Sequence, residues 1–387
     1  MLAQKRWIVL GFCLLLQACG QVDDYLLGKD NTPKPRALPP IKSAIQLTEQ
    51  WSITVGKPSY SGGALKLAPV VQGDMLYVGE SHGNVLAVDK KTGNVHWSTQ
   101  LKQGLVSGPV VSNGTLAVGT TNAGLVLLNE ADGQERWQAT LSGDVLSSPL
   151  LTDERVIAKT IDGHLVAFDL HTAKKQWEMD HGAPNLILKV SSSPVRMGNL
   201  VLVGFSDGKL DAVDLDSGRV LWQRSIAYAS GSSDVERLVD IDADPIVRGN
   251  VVYLASYQGY VGAMGLENGQ FVWNKPGSTY KNLALDENSV YMSDSNDTVW
   301  AFNRSNGQVQ WKQPALAARG LTAPVIMGHY VLVGDKTGLL HVLDAQQGEP
   351  VARLQLGSAI DVAPTISGNR AYVMTAAGQL TCFSVGE

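Results

Sequence analysis

APVVQGDMLYVGESHGNVLAVDKKTGNVHW, residues 68–97, breaks into four short runs: Ala68 to Val71, Met75 to Val78, Val85 to Asp89 and Asn94 to Trp97. Each run alternates in polarity and is bounded by turn residues, the pattern of four short antiparallel strands, here A to D. The cassette returns with Pro109, Pro149, Pro194, Pro245, Pro324 and Pro364 in the place of Pro69, and with Leu283 there in one copy. A period near forty residues points to a propeller or a solenoid. Eight A strands predict an all-β, eight-bladed β-propeller with four-stranded antiparallel blades.

The turn after strand C recurs as Asp89 to Gly93, Asn129 to Gly133, Asp169 to Ala173, Asp214 to Gly218, Asn303 to Gly307 and Asp344 to Gly348. Asp or Asn can bond the backbone two residues on, and Gly tolerates positive φ, so these residues suit a tight hairpin. Behind the turns stand Trp97, Trp137, Trp177, Trp222, Trp273 and Trp311, with Ala352 in the seventh copy. A tryptophan at a fixed place on strand D can wedge between neighbouring blades. A ligand cage would need the rings to converge on one point, and eightfold repetition spreads them round a ring instead.

The eighth copy reaches Gly386-Glu387 soon after its strand C. Near the start, Gln46 to Trp51 reads as an orphan strand D with its own tryptophan, Trp51. The N-terminal strand is therefore expected to close the last blade, which removes exposed sheet edges. One domain is predicted over 45–387. Residues 19–44 carry Pro33, Pro35, Pro39 and Pro40 with no apolar period and read as a flexible tether.

Residues 1–18 have the layout of a secretory signal peptide: Lys5 and Arg6, an apolar run from Trp7 to Leu16, then small residues. Of the three cysteines, Cys13 would leave with the signal, so no internal disulfide is expected within the propeller. Cys382 reads as a small buried hydrophobe rather than a reactive thiol. With 31 basic against 36 acidic residues, a formal net charge of −5 and no basic run, nucleic acid is not an expected partner.

The stretch Leu16-Gln17-Ala18-Cys19-Gly20 resembles the lipobox of bacterial lipoproteins. That resemblance implies cleavage before Cys19 and acylation of it, a membrane-surface anchor made of several chains. Gly20 stands where many inner-membrane lipoproteins have Asp, which favours the outer membrane. The run Ala-x-Asp-x-x-Thr-Gly-x-x-x-Trp at Ala87 to Trp97, with Ser217 for Thr at Ala212 to Trp222, resembles the repeat of pyrroloquinoline-quinone dehydrogenases. Lipobox and eight copies together resemble the BamB family, lipoproteins of the outer-membrane β-barrel assembly machinery. The implied place is the periplasmic side of the outer membrane.

An enzyme is the first alternative, since the repeat points to one. Quinone-dependent dehydrogenases of this kind resemble one another in adjacent cysteines and a calcium site with acidic ligands. No Cys-Cys pair occurs here, and the seven histidines show no H-x-x-x-H or H-E-x-x-H spacing. No Walker loop and no G-x-S-x-G motif is found, and acids such as Asp89, Asp169 and Asp214 repeat once per blade rather than converging. The expectation is no catalysis, no cofactor and no metal.

D-to-A connections share one face of such a ring, so their insertions decorate a single side. The offset is 12 from Trp97 to Pro109 and from Trp137 to Pro149, against 17 from Trp177 to Pro194, 23 from Trp222 to Pro245 and 18 from Trp51 to Pro69 on the far side of the ring. The first two long connections are neighbours and flank the fourth blade. One carries Leu186, Ile187, Leu188 and Lys189, an apolar patch; the other carries Arg237, Asp240 and Asp242 among further acids, read as an acidic rim. An apolar centre with a charged border suits a protein partner, while the plainer reading extends strand A through Leu186 to Leu188 and leaves the acids as solvated loop. The family resemblance implies that Leu186, Leu188, Lys189, Arg237, Asp240 and Asp242 dock on the POTRA repeats of BamA, the assembly channel. Lys189 stands where that pattern often has Arg, and an ammonium lacks the planar two-pronged fork. Direct binding of unfolded client strands or of glycan, and a vestigial quinone site, are the alternative functions.

Overall fold

The computed structural model describes residues 33–41, 45–56, 65–184, 186–188, 190–228, 232–267 and 269–386. Cys19 and Lys189 lie outside the described residues, as does the whole of 1–18. Chain contacts separate Met1–Arg36 from a unit running from Ala37 to Glu387, and the strands of the described residues belong to the second.

Among the described residues 32 strands form eight sheets of four, each antiparallel and each in the order A-B-C-D. Blades one to seven are local in sequence, from 70–100 for the first to 325–355 for the seventh. Blade eight joins Thr365–Ser367, Arg370–Met374 and Gln379–Gly386 to the N-terminal strand Gln46–Thr54. The expected eight-bladed architecture and its closure by an N-terminal strand are both present.

Burial follows from position in the ring. Strands B and C are covered on both sides by adjacent blades, so Leu76, Tyr77 and Val78 are all buried, as are Val85 to Val88. Eight apolar clusters hold the sheets together, and each draws on two consecutive blades. One unites Trp51, Tyr372 and Cys382 of blade eight with Leu76, Leu86 and Val88 of blade one, which makes the ring continuous. Leu38 packs against the cluster between blades six and seven, so contact with the ring extends back into the stretch read as tether.

The tryptophans show how one blade is fitted to the next. Trp97 Nε1 donates to the Glu130 carbonyl at 3.0 Å, Trp177 to Leu215 at 3.0 Å and Trp311 to Ala345 at 2.9 Å. Each acceptor directly follows the Asp or Asn that opens the C-to-D turn of the next blade, and Trp51, Trp137 and Trp273 make the equivalent bond. The turn glycine lies under the ring: at Gly218, with φ +71°, an added Cβ would stand 2.5 Å from Trp177 Cε3. That glycine is needed twice over, for the left-handed backbone and for the close approach. Asp89 shapes its turn by accepting from the Lys91 and Thr92 amides at 2.9 and 2.7 Å, and these bonds hold its carboxyl below the usual range.

Ala352 occupies the tryptophan register, paired with Val342 as Trp311 is paired with Ala301. Its blade faces the one sheet whose strands C and D come from distant parts of the chain and so share no hairpin turn. With no turn to receive an indole, the space is lined by Phe383 and by Ile45, Leu47 and Val385. Cys382 is fully buried and takes the small-residue position opposite Trp51.

Candidate functional site

The long connections on either side of blade four are adjacent in space. Leu188 N–H donates to Asp240 Oδ2 at 2.7 Å, and Ser193 N–H donates to Asp244 Oδ1 at 2.6 Å. The second connection thus supplies carboxylates that hold the backbone of the first. Strand A of blade four is confined to Val195–Met197, so Leu186 to Leu188 belong to the connection and do not extend that strand. Leu186 is 42 % exposed, and Ile187 and Leu188 are half-buried.

The acidic rim expected from the sequence is not a rim. Asp240 and Asp242 are 0 % and 1 % exposed. Asp234 and Arg237 are the solvated members, joined to each other as an ion pair. The reason is geometric. Val239 to Ala243 run toward the interior where blades converge, and both sides of the segment are covered, so Ile241 and Ala243 are buried beside the acids. Tyr257 N–H donates to the Asp240 carbonyl at 2.9 Å and Ile241 N–H to the Phe205 carbonyl at 3.1 Å, which fixes the segment between blades four and five.

Burial shapes the electrostatics of this interior. Desolvation raises the Asp240 carboxyl to about 6 even though the Leu188 amide opposes the shift. Asp242 is pushed well above the carboxylate range by burial and by the neighbouring Asp240, and neither of its oxygens has a hydrogen-bond partner among the described residues. Lys159, from strand B of blade three, is buried beside them; desolvation lowers it to about 8 while Asp242 pulls the other way. Its Nζ donates to the Gly204 carbonyl at 2.6 Å.

His181 stands at the root of the first connection. Its ring stacks on Phe205 at 3.8 Å and meets Asp211 Oδ2 at 2.8 Å and Asp207 Oδ1 at 3.1 Å. Burial pulls the imidazole down, but the two carboxylates outweigh it and hold the ring at about 9. Asp207 is held at about 2, because bonds from His181 and Lys209 overcome its own desolvation. No spacing motif in the sequence marks His181, a histidine whose partners lie about thirty residues on.

The outward-facing part of the second connection is a self-bonded turn. Glu236 Oε2 accepts from the Ser232 and Ser233 amides at 2.8 and 3.1 Å, and Ser233 Oγ accepts from Glu236 N–H at 3.2 Å, a capping box. It presents Val235, 61 % exposed, whose carbonyl is fastened to Gln258 of blade five at 3.2 Å. Beside it an open groove of about 540 Å³ is lined by Gln223, Arg224, Tyr228, Tyr260, Phe271 and Asn274. Of nine exposed large apolar or tyrosine side chains among the described residues, seven lie between positions 186 and 272. Among the described residues no group of three or more His, Cys, Asp or Glu is arranged to hold a metal.

The family profile described as "Outer membrane protein assembly factor BamB" matches residues 44–115, 81–313 and 315–387. The chain belongs to the BamB family. An outer membrane protein assembly factor BamB of Legionella pneumophila (strain Paris) is 53 % identical over 380 residues, covering 98 % of this chain and 99 % of that protein. The BamB of Pseudomonas aeruginosa is 37 % identical, with 91 % and 92 % covered. The crystal structure of BamB from Moraxella catarrhalis aligns with a TM-score of 0.80 at 27 % identity, over 88 % of this chain and all of that one. A quinohemoprotein alcohol dehydrogenase of Comamonas testosteroni aligns at 0.70 with 15 % identity, a likeness of propeller architecture alone. The BamB relatives carry the name of an assembly factor rather than of an enzyme.

Proposed function

We propose that this chain is a lipid-anchored periplasmic scaffold subunit of the outer-membrane β-barrel assembly machinery, docking on the POTRA repeats of BamA to support folding and insertion of outer-membrane proteins. Residues 1–18 serve as signal peptide, Cys19 carries the acyl chains, 19–44 tether the ring and 45–387 form it. The observation that carries the docking reading is the exposed Leu186 on a connection pinned, through Leu188 and Asp240, to its longer neighbour. Leu186, Ile187 and Leu188 with Val235 supply the apolar centre, and Arg237 and Lys189 the charged border. Asp240 acts from below, holding the connection rather than touching the partner, and Asp242 is buried beside it.

The test is co-purification from detergent-solubilised membranes. A Leu186→Glu, Val235→Glu double variant places two charges on the surface and leaves the buried acids alone. The channel is expected to be lost from the purified variant while the propeller keeps its thermal unfolding midpoint. Undiminished recovery of the channel overturns the docking site.

A further inference from the structure

Two lysines distant in sequence from both connections meet under the docking face. Lys66 lies in the segment that leads into blade one, and its backbone makes a parallel bridge with Ser107 of blade two. Its ammonium is nonetheless bonded to Asp244 of blade five, to the Asp242 carbonyl at 3.3 Å and to Ser193 Oγ at 3.4 Å. Blades follow one another round the ring, so a side chain rooted at blade two with its head on blades four and five reaches across the interior. Lys159 enters from blade three and is buried among Asp240, Asp242 and Asp244, whose charges all act on it.

Two of the carboxyl groups these lysines face, Asp240 and Asp244, hold the docking connection. Asp240 accepts from Leu188 N–H, and Asp244 accepts from Ser193 N–H while exchanging two bonds of 2.9 Å with Asn282 of blade six. Ser193 Oγ also takes the Ser148 amide at 3.1 Å, tying blade three into the same knot. An ionised carboxylate is a stronger acceptor than a protonated one, and an ammonium set close to a carboxyl group favours its ionised form. The lysines thereby decide how firmly two backbone amides of the docking connection are gripped.

We infer that Lys66 and Lys159 are positioning residues for the docking surface: without reaching the partner, they brace the segment 240–244, and with it the acceptors of the Leu188 and Ser193 amides, in the position that presents Leu186. This rests on the docking reading above, but its first readout does not. Amide hydrogen exchange is measured on the full mature chain for Lys66→Met and Lys159→Met, with Lys66→Arg as the conservative control. Lys66→Met removes a side chain that is only partly buried, and so guards against a general failure of Lys159→Met to fold. Exchange at the segment 186–193 is expected to quicken by at least about tenfold in both Met variants, with the strands of blade one unchanged and Lys66→Arg close to the native rate. Affinity for the purified POTRA repeats is expected to fall about tenfold in parallel. Unchanged exchange at 186–193 in a folded Lys66→Met variant overturns the inference, whatever the affinity does. If exchange quickens while neither the Met variants nor Leu186→Glu alter affinity, the bracing stands and the docking reading fails.

Discussion

Single residues in this propeller divide into those the sequence pattern announces and those it conceals. Trp177 is announced: it repeats at a fixed offset, is 8 % exposed, and is docked by its Nε1 on the next blade. Trp177→Ala is expected to cost about 3–5 kcal/mol in urea unfolding; a loss well under 1 kcal/mol would deny these rings their role between blades. His181 is concealed, because its charge partners Asp207 and Asp211 arrive from the following blade. Its folded value near 9 lies above the ordinary histidine value of 6.5, so its stabilisation is complete below about pH 6.5 and is lost as pH rises through about 9. Asp207, held near 2, loses its own contribution only in acid and leaves this window alone. Lys159, at about 8, titrates within it, so the readout is a difference. Subtracting a His181→Gln variant from the native protein should leave a fall on the order of 2 kcal/mol between pH 6.5 and 9; parallel stability curves would show that the ring is not held as a cation.

Strands and connections were legible to different degrees for a physical reason. Alternating runs such as Met75 to Val78, cut by Asp-x-x-Thr-Gly turns, depend only on local hydrogen bonding and burial, and so strand order and the N-terminal partner of Gln379–Gly386 could be read directly. The segment Asp240-Ile241-Asp242-Ala243 also alternates, and in an open sheet that pattern would face its acids to water. Here both sides are enclosed by converging blades, and both acids end up buried, Asp240 as an acceptor for a neighbouring connection. Burial of this kind depends on where the segment lies in the closed ring, which no local pattern encodes. The same dependence explains Ala352, whose missing tryptophan coincides with the missing hairpin of the next blade. Ala352→Trp should therefore destabilise the chain by roughly 1–3 kcal/mol through overpacking against Phe383 and Leu47, and a rise in unfolding midpoint would mean that an indole can be received there after all.

At the scale of the whole molecule, eight near-equivalent blades leave function to whatever departs from equivalence. Departures concentrate around blades four and five: the two longest connections between consecutive local blades, seven of the nine exposed large apolar or tyrosine side chains among the described residues, and the open groove beside Tyr228. D-to-A connections and B-to-C turns open on one face, so Leu186, Tyr228, Val235 and Tyr260 share it, and the Leu188 amide is held from beneath by the Asp240 carboxylate. A preformed apolar surface costs less ordering on association than a mobile one, which suits a scaffold that must hold its partner in one orientation. The most direct measurement is the equilibrium affinity of the purified propeller for the POTRA repeats of the assembly channel, comparing native chain, Leu186→Glu, and Val309→Glu, a control on exposed apolar surface of blade six. Docking through the blade-four face predicts at least about a hundredfold weakening for Leu186→Glu, on the order of the 2–3 kcal/mol of a central contact, and none for Val309→Glu. Equal affinities for all three proteins would contradict it.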